Sequence, residues 1–160
     1  MREPVSASAP GARHGFRIGK LKSSLESLGL LVDFLSKIDP FSRYHLGNFT
    51  SALRQQLSRG EHLVAFADKK LVGYCGWLPT STVVAQAWTE NKGHLSPVAA
   101  EQADAVVLTV VATTDRKAMP ALLRQARAEN PKLRVFFKRE YDDETRSARK
   151  SSVENVTAGE

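Results

Sequence analysis

The sequence predicts a single mixed α/β domain, and three observations carry that prediction. The run Ala105–Ala112 (AVVLTVVA) is continuous, apolar and β-branched, the pattern of a strand buried on both faces. Two apolar stretches, 62–67 and 71–78, flank the polar tripeptide Asp68-Lys69-Lys70, which suits a hairpin. Apolar residues at helical spacing precede and follow these strands.

Leu25, Leu28, Leu31, Val32 and Leu35 share one helical face, with Ser23 or Ser24 available as the N-cap. Asp39-Pro40 bounds that helix, because the residue before a proline is steered out of the α region. A second helix is expected from about Asn48 to Leu57, where Phe49, Ala52, Leu53 and Leu57 form a stripe and Arg59-Gly60 a stop. After the hairpin, Thr82–Trp88 reads as a third strand, followed by a loop through Asn91-Lys92-Gly93. Beyond the central strand, Thr113-Thr114-Asp115 offers N-cap chemistry to a helix from about Arg116 to Ala128, with Met119, Leu122, Leu123 and Ala126 inside. Asn130-Pro131 breaks it, and Leu133–Lys138 is the last expected strand. Such an order of elements makes a mixed sheet with helices on both sides.

Composition bounds the rest. The 160 residues are 42% hydrophobic and 25% charged, ordinary for a globular domain and enough for one core. Residues 1–20, rich in Ser, Ala, Pro, Gly and Arg, read as a disordered arm; 141–160 read as a disordered tail; the domain is 21–140. The start carries charge with no apolar stretch behind it, so no secretory signal is expected, and no apolar run is long enough to span a bilayer. Cys75 is the only cysteine, which excludes an intrachain disulfide and a thiolate metal cluster and suits a reducing cytoplasm. The formal net charge of +6 draws the chain to polyanions or acidic proteins without choosing among them.

Four histidines offer proton chemistry. His14 lies in the arm, His62 opens a strand and His94 sits in a loop. His45 stands in the short link between two helices, in Pro40-Phe41-Ser42-Arg43-Tyr44-His45, where a neutral imidazole could take a proton from an amine or thiol. The plainer alternative is that it caps the next helix or packs on Phe49. Ser42, three residues earlier, could meet the imidazole if the link is helical. Cys75, mid-strand between Tyr74 and Gly76, reads as a small buried hydrophobe. The turn from the central strand into the following helix could hold an anion, such as the phosphates of a carrier group, on free backbone N–H groups at Ala112, Thr113, Thr114, Asp115 and Arg116. Thr113 and Asp115 could equally serve only as helix caps. The sequence has no Walker loop, no GxGxxG after a strand, no zinc-ligand spacing and no Q/R-x-x-G-x-G/A run of the kind that clamps coenzyme A.

The order of Leu25-Glu26-Ser27-Leu28-Gly29, Ser42-x-x-His45 and Val72-Gly73-Tyr74-Cys75-Gly76-Trp77 resembles the toxin-activating lysine acyltransferases of repeats-in-toxin cytolysins. The match covers about residues 24–140. The resemblance implies a Gcn5-type acetyltransferase-like fold. It also implies a fatty acyl donor, the acyl-phosphopantetheine of acidic acyl-carrier protein, with no tightly bound cofactor and no metal. The acceptor would be an internal lysine of a partner protein. His45 would be the catalytic residue, with Ser42 close by. One departure matters: Thr109 stands where the family carries an aspartate that supports the histidine. A threonine can hydrogen-bond an imidazole but cannot balance an imidazolium charge. Two other readings therefore stay open. One is a catalytically lapsed relative that binds a protein partner. The other is a nucleic-acid-binding regulator, suggested by Arg116-Lys117, Arg124, Arg127 and the segment 132–139. The oligomeric state, a homodimer included, is left undetermined.

Overall fold

The computed structural model describes residues 15–139 and 149–154. Six strands form one sheet in sequential order: β1 (Phe16–Gly19), β2 (His62–Ala67), β3 (Lys70–Thr80), β4 (Ala105–Thr113), β5 (Arg134–Arg139) and β6 (Arg149–Glu154). All neighbours pair antiparallel except β4 and β5, which run parallel. A parallel pair needs a crossover, and α4 (Ala118–Glu129) supplies it. The other helices are α1 (Leu25–Leu35), α2 (Leu46–Arg59) and α3 (Thr82–Thr89).

The mixed sheet flanked by helices agrees with the expectation, and the apolar stripes explain its layers. On one face, Leu28, Leu31, Phe34 and Leu35 of α1 and Leu53 and Leu57 of α2 cover Val64, Leu71, Tyr74, Val110 and Ala112. On the other, Ala118, Leu122 and Ala126 of α4 cover Leu63, Ala65, Val72, Cys75, Val106, Leu108 and Val135. Fully burying one such leucine stabilises the fold by about 1.5–3 kcal/mol, so each stripe holds its helix in place. Gly60, at φ 67°, closes α2 in the left-handed conformation that glycine adopts without strain.

Several elements differ from the sequence reading. Residues 82–88 are helical, not a strand. Ser81 caps α3 by accepting the Val84 N–H, and Ala85 packs with Ala105, Val107 and Phe136 while Trp88 borders them. That spacing is helical, and it outweighs the β-branched run at Thr82, Val83 and Val84. Strand β1 lies inside the segment read as an arm, and β6 inside the segment read as a tail. Each pairs along the whole of its length with a neighbour, so backbone hydrogen bonds order stretches whose side chains gave no periodic signal. The remainder of those two segments, His14 included, lies outside the described residues. Helix α1 ends at Leu35, before the Asp39-Pro40 boundary. Among the described residues, no helix is long and apolar enough to cross a membrane.

Candidate active site

Thr109 is a bulged residue. Gly76 of β3 pairs with Val110, and the next β3 residue, Trp77, pairs with Leu108, which leaves Thr109 as the extra residue on β4. A bulge of this kind breaks the side-chain alternation. Before it, Val106 and Leu108 face α4; after it, Val110 and Ala112 face α1 and α2. Thr109 and Val110 therefore emerge side by side on the α2 side of the sheet. The parallel pairing of β4 with β5 also stops at Leu108 opposite Phe137. From Thr109 onward, that side of β4 has no strand partner among the described residues. The bulge and the parting of the strands coincide.

A cleft of about 460 Å³ opens at this point, lined by Arg43, Tyr44, His45, Asn48, Phe49, Ala52, Thr109 and Val110. His45 is the N-cap residue of α2, yet its imidazole makes no capping bond and is exposed to the cleft. Three aromatic rings fix the link that carries it. Phe41 stacks on Phe49 at 5.9 Å between centroids, and Tyr44 meets both edge-on at 5.5 and 5.2 Å. His45 and Thr109, distant in sequence, thus share one cleft.

Ser42 does not join them. Its hydroxyl donates to the Asp39 carboxylate, which Arg43 also approaches at 3.4 Å. Those two partners hold the Asp39 carboxyl below its usual range. The link is a short 3₁₀ turn, Phe41–Arg43, that ends before His45, so the helical geometry needed to bring Ser42 to the imidazole is absent.

Behind Thr109 lies a buried polar chain that motif reading missed. The Gln56 Nε2 donates to Thr109 Oγ1 at 2.8 Å, and Tyr74 donates its hydroxyl to Gln56 Oε1 at 2.5 Å. The Gln56 carbonyl lies 3.1 Å from His62 Nδ1, and His62 Nε2 accepts the Leu21 N–H at 2.9 Å. Tyr74, His62 and Gln56 are all buried. One signal in the sequence bears on this chain. Gly76 lies where a Cβ would sit 2.1 Å from Gln56 Oε1, so only glycine admits the amide.

In and just after the segment expected to cradle an anion, 112–116, three amides are bonded within the protein. The Thr114 N–H donates to the Val72 carbonyl at 2.9 Å, and the Lys117 and Ala118 N–H groups donate to Asp115 at 2.9 and 3.0 Å. Helix α4 begins at Ala118, two residues later than expected, and its third residue is Pro120, which has no N–H to offer. Ala112 is buried beneath α1 and α2, whereas the Arg116 side chain is exposed. Cys75 is fully buried and its thiol is pushed up to about 12 by that burial, the state of an inert core residue.

The sequence matches no protein-family model and no curated protein. Solved structures do resemble it. One is the PaiA N-acetyltransferase of Thermoplasma acidophilum in complex with coenzyme A, at a TM-score of 0.50 and 15% identity, over 82% of this chain and 83% of that chain. An N-acetyltransferase of Staphylococcus aureus Mu50 is similar at 0.46 and 13% identity, over 81% and 84% of the two chains. An acetyltransferase of the GNAT family from Streptococcus agalactiae 2603 is similar at 0.48 and 11%, over 82% and 79%. The first of these likenesses spans most of both chains, and the chain has an acetyltransferase-like fold.

Proposed function

We propose that this protein is an acyltransferase that moves an acyl group from a thioester donor to an amine, with His45 as general base. The observation that supports it is the cleft itself: His45 and Thr109 line one opening where β4 parts from β5 in an acetyltransferase-like fold. The amine nitrogen of the acceptor, neutral after losing its ammonium proton, attacks the thioester carbonyl carbon. A carbon–nitrogen bond forms, the carbon–sulfur bond breaks, His45 takes the proton the amine sheds, and the donor leaves as a thiol. The donor is acyl-carrier protein and the acceptor a lysine ε-amine on a partner protein, as the three sequence motifs imply. The exposed basic groups Arg116, Lys117 and Arg124 suit an acidic carrier. Acceptors and donors can be tested by intact-mass measurement of candidate substrate proteins incubated with acyl-carrier protein charged with acyl chains, and with acyl-coenzyme A. The expected mass gain should vanish with His45→Ala, through a rate loss of about 10²- to 10⁴-fold. The melting temperature should barely move, because the exposed imidazole contributes little packing. Full activity in the variant removes His45 from the mechanism.

A second reading is favoured by one observation. Neither the Thr109 hydroxyl, which accepts from Gln56, nor the Ser42 hydroxyl, which donates to Asp39, makes a hydrogen bond to the His45 imidazole. A lapsed relative that binds the same partners without turnover would have this arrangement. Stable capture of acyl-carrier protein with no transfer from any donor would select it.

A further inference from the structure

Thr109 is a weak substitute for a carboxylate, but the chain behind it gives it a different task. Tyr74 is fully buried, and its hydroxyl has Gln56 Oε1 as its hydrogen-bond partner. Burial also raises its pKa, so the phenol stays protonated. A phenol in that position must donate, since a buried O–H left unpaired costs about 1–3 kcal/mol. The amide of Gln56 is thereby oriented: Oε1 faces Tyr74, and Nε2 faces Thr109. Because Nε2 can only donate, Thr109 Oγ1 is the acceptor of that bond. Its own proton then has two directions. One is the Gly76 carbonyl, at the long distance of 3.4 Å; the other is the cleft that Thr109 lines.

We infer that Gln56, held by Tyr74, is a positioning residue that makes the Thr109 hydroxyl a hydrogen-bond donor to the cleft, aimed at the carbonyl oxygen of a bound acyl thioester. The assignment of that oxygen rests on the acyl-transfer reading; the orientation of the relay does not. The weak bond to Gly76 is lost at little cost when a better acceptor arrives, and the carbonyl oxygen becomes one as negative charge builds on it during attack. Thr109 points away from α4 because it follows Leu108, and the bulge brings Val110 to the same α2 side next to it, so that the two line the cleft together. Gly76 leaves room for the Gln56 amide at the same level. A neutral donor here assists the thioester, whereas a carboxylate would assist the histidine.

Two readouts test it. In NMR spectra the Gln56 side-chain amide protons, assigned by their loss in Gln56→Met, should exchange slowly with solvent, and Tyr74→Phe should release that protection. In steady-state assays with octanoyl acyl-carrier protein and with acetyl-coenzyme A, Thr109→Val should lower kcat by about 100-fold with KM nearly unchanged. Thr109→Ser, which keeps the hydroxyl, should restore kcat to within a few-fold of wild type, and Tyr74→Phe should lie between. Gln56 protons that exchange like a free amide overturn the relay, and an undiminished kcat in Thr109→Val overturns the donor role. Wild-type protein that transfers no acyl group from either donor sinks the acyl-transfer reading instead, and the Gln56 resonances still decide the relay.

Discussion

His62 is held as one tautomer. Its Nε2 accepts from the Leu21 N–H, so the ring proton sits on Nδ1 and donates to the Gln56 carbonyl. Protonating Nε2 would remove the acceptor that Leu21 needs and would place a charge in the core. Burial accordingly pushes the imidazole pKa below its ordinary 6.5, and the nearby Lys20 charge pushes it the same way. The unfolded chain therefore binds the proton more readily than the folded one. Stability is complete above ~6.5 and is lost as pH falls from there toward the lowered folded value. Glu61 works in the opposite sense. Burial raises its carboxyl above 4.5, so its contribution is present at acid pH and lost as pH rises through the raised value. Urea midpoints measured from pH 8 to pH 5 should fall as the solution is acidified, and His62→Gln should flatten that slope. An equal slope in both proteins would locate the sensitivity elsewhere. The sequence identified His62 only as the residue opening a strand, because the partners that fix it, Leu21 and Gln56, come from other segments.

Between β3 and its two neighbouring layers, glycine appears wherever a helix comes closest. A Cβ at Gly73 would lie 2.6 Å from Leu122 Cδ1 of α4, and one at Gly76 would lie 2.1 Å from Gln56 Oε1 of α2. The two positions serve opposite faces of the sheet. Gly76→Ala should displace the Gln56 amide and break its bonds to Tyr74 and Thr109. A destabilisation of about 1–3 kcal/mol follows, as for other overpacked cores, and it would appear as a lowered urea midpoint. Loss of the protected Gln56 protons should accompany it; an unchanged midpoint would mean that α2 shifts without strain. The central strand β4 was legible as an element because its residues are apolar on both faces. Its bulge was not, for the same reason. Thr109 is the one polar residue of 105–112, and with apolar side chains on both sides of it a break in their alternation leaves no trace in the pattern. Helix α3 was misread because three β-branched residues open it, although Ser81 and the Ala85–Trp88 spacing carry the helical signal.

At the scale of the whole molecule, the formal net charge of +6 includes a group of basic residues at α4. Arg116 and Lys117 are exposed just before α4, and Arg124 is exposed within it. An acidic carrier docking here should bind with an affinity that falls as salt shortens the Debye length below its ~10 Å at 0.1 M. Arg116→Glu combined with Arg124→Glu should weaken carrier binding at low salt by at least tenfold (about 1.4 kcal/mol or more) and leave the circular dichroism spectrum unchanged. Equal binding at low and high salt would count against electrostatic docking on this face. Preference for duplex DNA over the carrier would favour the nucleic-acid reading.

By itself the sequence determined the layers. Apolar stripes at helical spacing specified α1, α2 and α4, and continuous apolar runs specified β2, β3, β4 and β5, because burial of those faces is the dominant favourable term. It also singled out His45, through its place in the link between two helices, and Thr109, through the family resemblance. Only the tertiary structure decided that these two share a cleft, that Ser42 is bonded to Asp39, and that the Thr114, Lys117 and Ala118 amides find partners within the chain. Those outcomes depend on a one-residue bulge, on where β4 leaves β5, and on which backbone groups find partners across the sheet. Each is a matter of pairing between segments far apart in the chain. A pattern read along one strand carries the hydrophobic period of that strand and no information about its partner's register.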